Sequence, residues 1–487
     1  MRVVIGKNRI NTIEVGCLIT SFISIIVCLF FGKGVYQYVG FLPLTFFSCY
    51  LLILFSEVRK SFTVKIISLC AFLRYVVLSV FQSICPVYTF SRYTTQNVDL
   101  IFKAIALMCY ELVFVSIFIK FYFSIKHSNG FEKPVSMQVE QRFTSGRNKY
   151  GLIFIFSMCA ILYSMINPDL MSQISFLVIK SNTSVRMGQN AAGSSSGDMI
   201  LRQVFVTAVL SMFVIVITLL RTRIYKKHPK LSFHCSLLLA VLCTCMIVSE
   251  QRSSQVYCAF AAVILLIQLY PEKKRRIITI IGAAAGVVLV MLSIYKTFFA
   301  FMYSTYADAL INSNMGLESV VQNLEIYLLG PVTVASAIQF ASVGAFNFSL
   351  SQLLFDFGRS TIGVSFFFKG SDKILTSEAY NQFITGGGAN SGYLLPITGQ
   401  GYEFLGFIFS PVLICLFFYL AFKIEKIMFK SNSTYIIFFV AYIYIRVATC
   451  MVSSNLNSVL VALSTVMVSA GVIFLLQYFL TIIKKRR

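Results

Sequence analysis

Apolar runs long enough to cross a bilayer recur from one end of the chain to the other, and nothing else in the sequence restricts the fold so severely. The first of them, Ile13–Phe31, carries one acid and no base. Inside hydrocarbon no water is present to satisfy backbone amides, so such a run must close its own hydrogen bonds as a helix. About 18 residues are needed to span. By that measure twelve spans are predicted, at 13–31, 36–55, 64–84, 99–123, 150–166, 200–220, 232–249, 256–270, 277–303, 403–422, 434–452 and 458–483. Charged residues are only 12% of the 487, against about a quarter in soluble domains. The fold class expected is therefore all-α: a polytopic integral membrane protein of about twelve transmembrane helices, within a range of 11–14. The basic start (Arg2, Lys7, Arg9) precedes a long run without a small-residue cleavage site, so the run reads as a first span and not as a removed signal peptide.

The formal charge of +23 is distributed as a topology signal. Lys and Arg collect in alternate connections, as in Arg221, Arg223, Lys226 and Lys227, in Lys273–Arg276, and in the tail Lys484–Arg487. Basic residues hold their connections on the cytoplasmic side, which puts both termini in the cytoplasm. No nucleic-acid partner is expected. Nearly all of the thirteen cysteines fall inside spans, with Cys85 near the outer surface, so they read as small packing residues and not as disulfides or metal ligands. His127, His228 and His234 all fall on or near the cytoplasmic side.

Two external connections are long: 167–199, and 304–402, which contains apolar stretches. Long connections inside a compact protein are usually functional. The chain is accordingly divided into a nine-span region 1–303, a large extracytoplasmic loop 304–402 containing short helices, and a three-span region 403–487 within one membrane domain. The first long loop holds Lys180 and Arg186, the second Arg359, Lys369 and Lys373. Each has a single arginine followed eleven positions later by a glycine: Arg186 by Gly197, and Arg359 by Gly370. Arg252 stands at the outer tip of a tight helical hairpin, within Ser249–Ser254, and a glycine-rich stretch, Gly386–Gly401, leads into Tyr402 and Glu403.

In its span number, its two dominant outer loops and its paired arginine–glycine elements, the chain resembles the Wzy-type family, the O-antigen and capsular polysaccharide repeat-unit polymerases. That resemblance implies a GT-C-like membrane glycosyltransferase of the bacterial cytoplasmic (inner) membrane. Its substrate would be an oligosaccharide linked to undecaprenyl pyrophosphate, and its surroundings membrane lipids, a chain-length regulator and a flippase. A lipid pyrophosphate leaving group needs fixed cations, and guanidinium groups bind phosphate oxygens as a fork. Arg186, Arg252 and Arg359 are the candidates for that role, with Lys180, Lys369, Gly197, Gly370 and Arg446 as substrate contacts. Tyr380, Asn381, Gln382, Asn390, Tyr393, Gln400 and Tyr402 would line the sugar cavity. A base for the acceptor hydroxyl would have to be a carboxylate, drawn from Glu250, Asp308, Glu318, Glu325, Glu378 and Glu403, with Glu403 the one assigned.

Blander readings stand beside these. The outer arginines could hold lipid headgroups or pair with Asp198 and Asp356, and glycines usually serve the backbone. Arg74 and Glu111, in mid-span on adjacent helices, read as a structural ion pair inside the bundle. No Asp-x-Asp occurs, and the first outer loop, 32–40, has Lys33 but no acid, so no metal and no cofactor is expected. A lipid-linked oligosaccharide flippase and an O-antigen ligase are the alternatives; the absence of internal repeats argues against the first, and the absence of histidine in the outer loops against the second.

Overall fold

The computed structural model describes residues 12–58, 61–86, 98–127, 151–166, 174–176, 196–248, 252–298, 317–344, 346–368, 370–386, 393–452 and 454–486, and two short strands near the start. Apart from two small antiparallel pairs, β1 (Val4–Ile5) with β2 (Asn8–Arg9) and β3 (Ile174–Phe176) with β4 (Met246–Val248), the described elements are helical. Each of the twelve predicted spans overlaps helix, although 232–249 runs into β4 and 403–422 is divided between two helices. Six helices are long and apolar enough to cross a membrane, and eight if each of two bent pairs counts as one span. The protein is a polytopic membrane protein.

In chain order the helices are α1 (Thr12–Phe31), α2 (Gly34–Glu57), α3 (Phe62–Ile84), α4 (Val98–His127), α5 (Gly151–Ile166), α6 (Ser196–Leu219), α7 (Pro229–Thr244), α8 (Arg252–Leu269) and α9 (Lys274–Phe298). After them come α10 (Leu317–Leu328), α11 (Pro331–Ser342), α12 (Leu350–Ser360), α13 (Thr376–Thr385), α14 (Ile397–Phe409), α15 (Val412–Lys430), α16 (Thr434–Ala448) and α17 (Leu456–Leu480). Proline opens α7 and α11 at a position where its missing N–H costs nothing.

Two departures from the sequence reading have local causes. The span expected at 403–422 is not continuous: α14 begins earlier, at Ile397, and α15 leaves it at 107°. Gly406 kinks α14 itself just before this break, with φ 72° and ψ −178°, a conformation essentially reserved for glycine. The second departure is α10–α11, within the expected outer loop, which forms an apolar helix pair bent by 60°. Its joint is Leu329, at φ 53° the one left-handed residue other than glycine among those described.

The chain packs into two compact units. The first comprises Met1–Lys133, Asn314–Lys423 and Val447–Val461; the second comprises Pro134–Ser313, Ile424–Arg446 and Ala462–Arg487. In the first unit α2 and α3 pack on α1, α10 lies on α3, and α11 lies on both α4 and α14. In the second, α6 lies on α5, and α8 on α7 and α9.

Candidate functional site

A buried charged cluster ties the elements of the first unit together. Arg74 lies in a π-helical turn of α3, Phe72–Val77, a wide turn that recurs at functional sites. Its Nη1 donates to both carboxylate oxygens of Glu111 on α4, at 3.3 and 3.2 Å, and its Nε donates to the carbonyl of Leu329 at 2.9 Å. Glu111 also accepts from the Thr398 hydroxyl of α14 at 2.7 Å and from Tyr75 at 3.4 Å. Both members of the ion pair are fully buried. One guanidinium and one carboxylate thus join α3, α4, the joint of the bent pair and the start of α14. The structural pairing expected of Arg74 and Glu111 is present, and it also clamps a break in a helix.

Glu325 is occupied in a similar way. Its Oε1 accepts the N–H groups of Val332 and Thr333, at 2.6 and 3.0 Å, and so caps the N-terminus of α11 from the preceding helix. Its Oε2 accepts from Gln82. Gly330 has to be glycine here, because a Cβ would overlap that carboxylate and Leu78. With these partners Glu325 is a poor candidate for a base.

Asp356, on α12, organises the next layer. Its Oδ1 accepts from the backbone N–H of Thr376, the first residue of α13, at 3.1 Å, and from Gln352 Nε2 at 3.3 Å. Its Oδ2 accepts from Gln400 Nε2 at 3.2 Å. Burial pushes the Asp356 carboxyl up, and the donated hydrogen bonds oppose that rise. Because this carboxylate takes the Gln400 amide nitrogen, the amide oxygen faces away from it, buried and without a partner among the described residues. Glu403 follows Gln400 by three residues on α14, which puts both on one side of that helix. Glu403 is buried, and neither carboxylate oxygen has a hydrogen-bond partner among the described residues. A carboxyl buried without a donor is costly unless a proton, a cation or a ligand satisfies it.

The elements around Glu403 are held by glycine and hydroxyl contacts. Gly399 packs on Ala337 of α11, and Gly401 meets the backbone of Ser410 at the break, so that side chains at either position would overlap their neighbours. Tyr380, fully buried, shares a 2.6 Å hydrogen bond with Ser336, and burial drives its hydroxyl well up. Asn381 exchanges hydrogen bonds with the backbone of Tyr393 at 2.8 and 2.9 Å, which closes the glycine-rich stretch onto α13. Tyr380 and Asn381 therefore have structural partners; Tyr402 is half-buried.

The other sequence candidates belong to several different elements. Arg359 is exposed in the last turn of α12, and Gly370, at φ 89°, ends the lap that follows. Gly358 lies under the Phe368 ring, where no Cβ fits, so the glycines of this lap serve its backbone and packing. Arg446 of the second unit donates to the Tyr257 hydroxyl and lies over its ring, 5.2 Å from the centroid. Gly197 lies in the first turn of α6, and Arg252 opens α8; the side chain of Arg252, and all of Arg186, Lys180, Lys369 and Asn390, lie outside the described residues. Of the carboxylates, Glu378 is exposed, while Glu250, Asp308 and the Glu318 side chain lie outside the described residues.

Sequence reasoning assigned Glu403 but gave Asp356 no part beyond a possible arginine partner, and it placed Gln400 only as a sugar contact. The signal available was the spacing Gln400-x-x-Glu403 on a helix that also carries Gly399 and Gly401. Among the described residues no group of three or more His, Cys, Asp or Glu is arranged to hold a metal ion. No family model matches the chain, and neither a curated protein nor a solved structure is similar to it.

Proposed function

We propose that the chain polymerises undecaprenyl-pyrophosphate-linked oligosaccharide repeat units into O-antigen or capsular polysaccharide. It would do so at the outer face of the bacterial cytoplasmic membrane, with twelve spans, a GT-C-like arrangement and both termini inside. The observation that best supports this reading is the Glu403 carboxyl, buried without a donor among the described residues, on the same side of its helix as Gln400, whose amide oxygen also has no partner among them. Both groups accept hydrogen bonds and, with Glu403 ionised, neither donates one. Such a pair suits a ligand that brings O–H donors, as a sugar does, and repels a phosphate.

In the proposed reaction Glu403 takes the proton of the acceptor sugar hydroxyl. That oxygen bonds to the anomeric carbon of the growing chain as the bond from this carbon to the lipid pyrophosphate breaks. The pyrophosphate leaves with the bonding electron pair, and Arg186, Arg252 and Arg359 are assigned to its charge. The two roles need separate places, since an acceptor-only pair is a poor neighbour for the leaving group. No metal is assigned a step. A general base of this kind is worth about 10²–10⁴ in rate.

A transporter is the second reading, favoured by the two bent helix pairs, since broken helices build substrate sites in many carriers. The deciding experiment is polymerisation of lipid-linked repeat units by purified protein in excess chelator. Long chains support the polymerase, and loss of long chains in Arg→Ala variants at 186, 252 and 359, at matched protein levels, supports the leaving-group assignment. Flipping without polymer, or a strict need for added magnesium or manganese, overturns the proposed chemistry. Reporter fusions at Lys227, Arg275 and Lys430 should report cytoplasm, and those at Ser195 and Gly388 the outer side.

A further inference from the structure

α12 and the lap that joins it to α13 expose several large apolar side chains. On α12, Leu353, Phe355, Asp356 and Ser360 face inward, while Leu350 and Leu354, one turn apart, are exposed at 68% and 62%. A 3-10 turn, Val364–Phe368, follows and buries none of its residues. Phe366 and Phe367 meet edge to face at its tip, and Phe367 is 83% exposed. Described side chains with similar exposure include Phe30 at 82% and Leu52 at 74%, on α1 and α2, which are long and apolar enough to be covered by lipid tails, and Ile166 at 78%, the last residue of the apolar α5. With 11 residues in α12 and 5 in the 3-10 turn, the lap is too short to span.

We infer that this lap docks into the surface of the bilayer, with Leu350, Leu354, Phe366 and Phe367 entering the boundary between headgroups and acyl chains. An amphipathic helix that cannot span lies in that boundary with its apolar face down, and aromatic rings concentrate there. The exposed cations Arg359 and Lys373 stand along the same segment, where phosphate headgroups would meet them. The internal fastening suits an element that holds its shape while it inserts: Phe368 sits on Gly358 and stacks edge to face with Phe355, at 5.7 Å between ring centres. The opposite side of α12 carries Asp356, so the docked lap would hold the Glu403 layer at a fixed depth. This inference concerns only the lap and the lipid, and it stands whether or not the chain is a polymerase.

The chain contains no tryptophan, so one introduced indole reports without background. Phe367→Trp should be made in the full chain and reconstituted in phosphatidylglycerol–phosphatidylethanolamine nanodiscs containing lipids brominated at shallow or deep acyl positions. Leu52→Trp serves as the lipid-facing reference and Lys227→Trp as the water-facing one. Docking predicts blue-shifted emission, at least twofold stronger quenching by shallow than by deep bromines, and little quenching by aqueous iodide. Quenching by iodide but not by bromolipid would place the tip in water, and quenching by neither would mean that protein covers it; each result overturns the inference. Phe366→Trp provides the same readout should Phe367→Trp fail to accumulate.

Discussion

Both units of the protein bury hydroxyl groups, but among the described residues only the first also buries charged side chains. Among the described residues, the second unit buries hydroxyls (Ser157, Thr207, Ser211, Thr218, Ser232, Ser236, Thr244, Thr434, Ser464) and one amide, Gln477. Many of these satisfy themselves on their own helix, as when Ser211 donates to the Thr207 carbonyl at 2.6 Å and Thr244 to Ala240 at 2.8 Å. The first unit also buries Glu57, Arg74, Glu111, Glu325, Asp356 and Glu403, with Gln82, Gln352, Gln400, Asn381, Asn455 and Asn457. A carboxylate cannot back-bond within its helix as a serine does; it needs donors from other elements, and in Glu403 it has none. Interior charge in a membrane protein is expensive and usually functional. By this criterion the buried carboxylates among the described residues, and with them the proposed base, belong to the first unit.

Glu403→Gln tests that conclusion with the largest expected effect. The change keeps shape and removes the base, so polymer formation should fall by about 100-fold or more, while the melting temperature in detergent holds or rises. Thr218→Val in the second unit, which breaks a 2.8 Å contact with Thr434 and a 2.7 Å bond to the Val214 carbonyl, should leave polymer formation within about twofold of normal, since it removes only neutral hydrogen bonds. Equal losses from the two variants, in a polymer ladder at matched protein levels, would erase the contrast.

Stability sharpens the comparison next. Glu111→Ala strands the Arg74 guanidinium and should cost about 3–5 kcal/mol, read by chemical unfolding. The double change Arg74→Met with Glu111→Leu should recover most of that loss, because the penalty lies in the unpaired charge. A double variant as unstable as the single one would mean that the Arg74 bond to the Leu329 carbonyl carries the joint. Gly330→Ala should cost less, about 1–3 kcal/mol, by driving a methyl group into the Glu325 cap. The smallest effects belong to the second unit: Ser211→Ala and Thr244→Val each lose a back-bond and should stay within about 1.5 kcal/mol. A loss there as large as that of Glu111→Ala would show hydroxyls bearing structure as charges do.

Much of the architecture was legible without coordinates. Hydropathy is a local property, so the long apolar runs marked helices, and one mid-span arginine and one mid-span glutamate on neighbouring spans pointed to each other because a lone charge in hydrocarbon is costly. The break in α14 was missed although its cause is written in the chain: Gly406 and Pro411 lie inside an apolar window whose mean hydropathy hides them. The candidate site was only half legible. Glu403 could be proposed from its place after a glycine-rich stretch, but five other carboxylates stood equal with it on sequence grounds.

What separated them is a matter of who donates to whom. Glu325 and Glu403 are both acids on apolar helices of the same unit, and no pattern along the chain distinguishes them. Only the packed structure gives Glu325 the free amides at the start of α11 and leaves Glu403 with none. The sequence by itself determined that the chain is helical and lies in a membrane, because each residue's preference for water or hydrocarbon travels with it. The tertiary structure alone decided which buried carboxylate is satisfied and which has no donor among the described residues, because a hydrogen bond needs a partner within about 3 Å, and here that partner is supplied by residues up to 287 positions away.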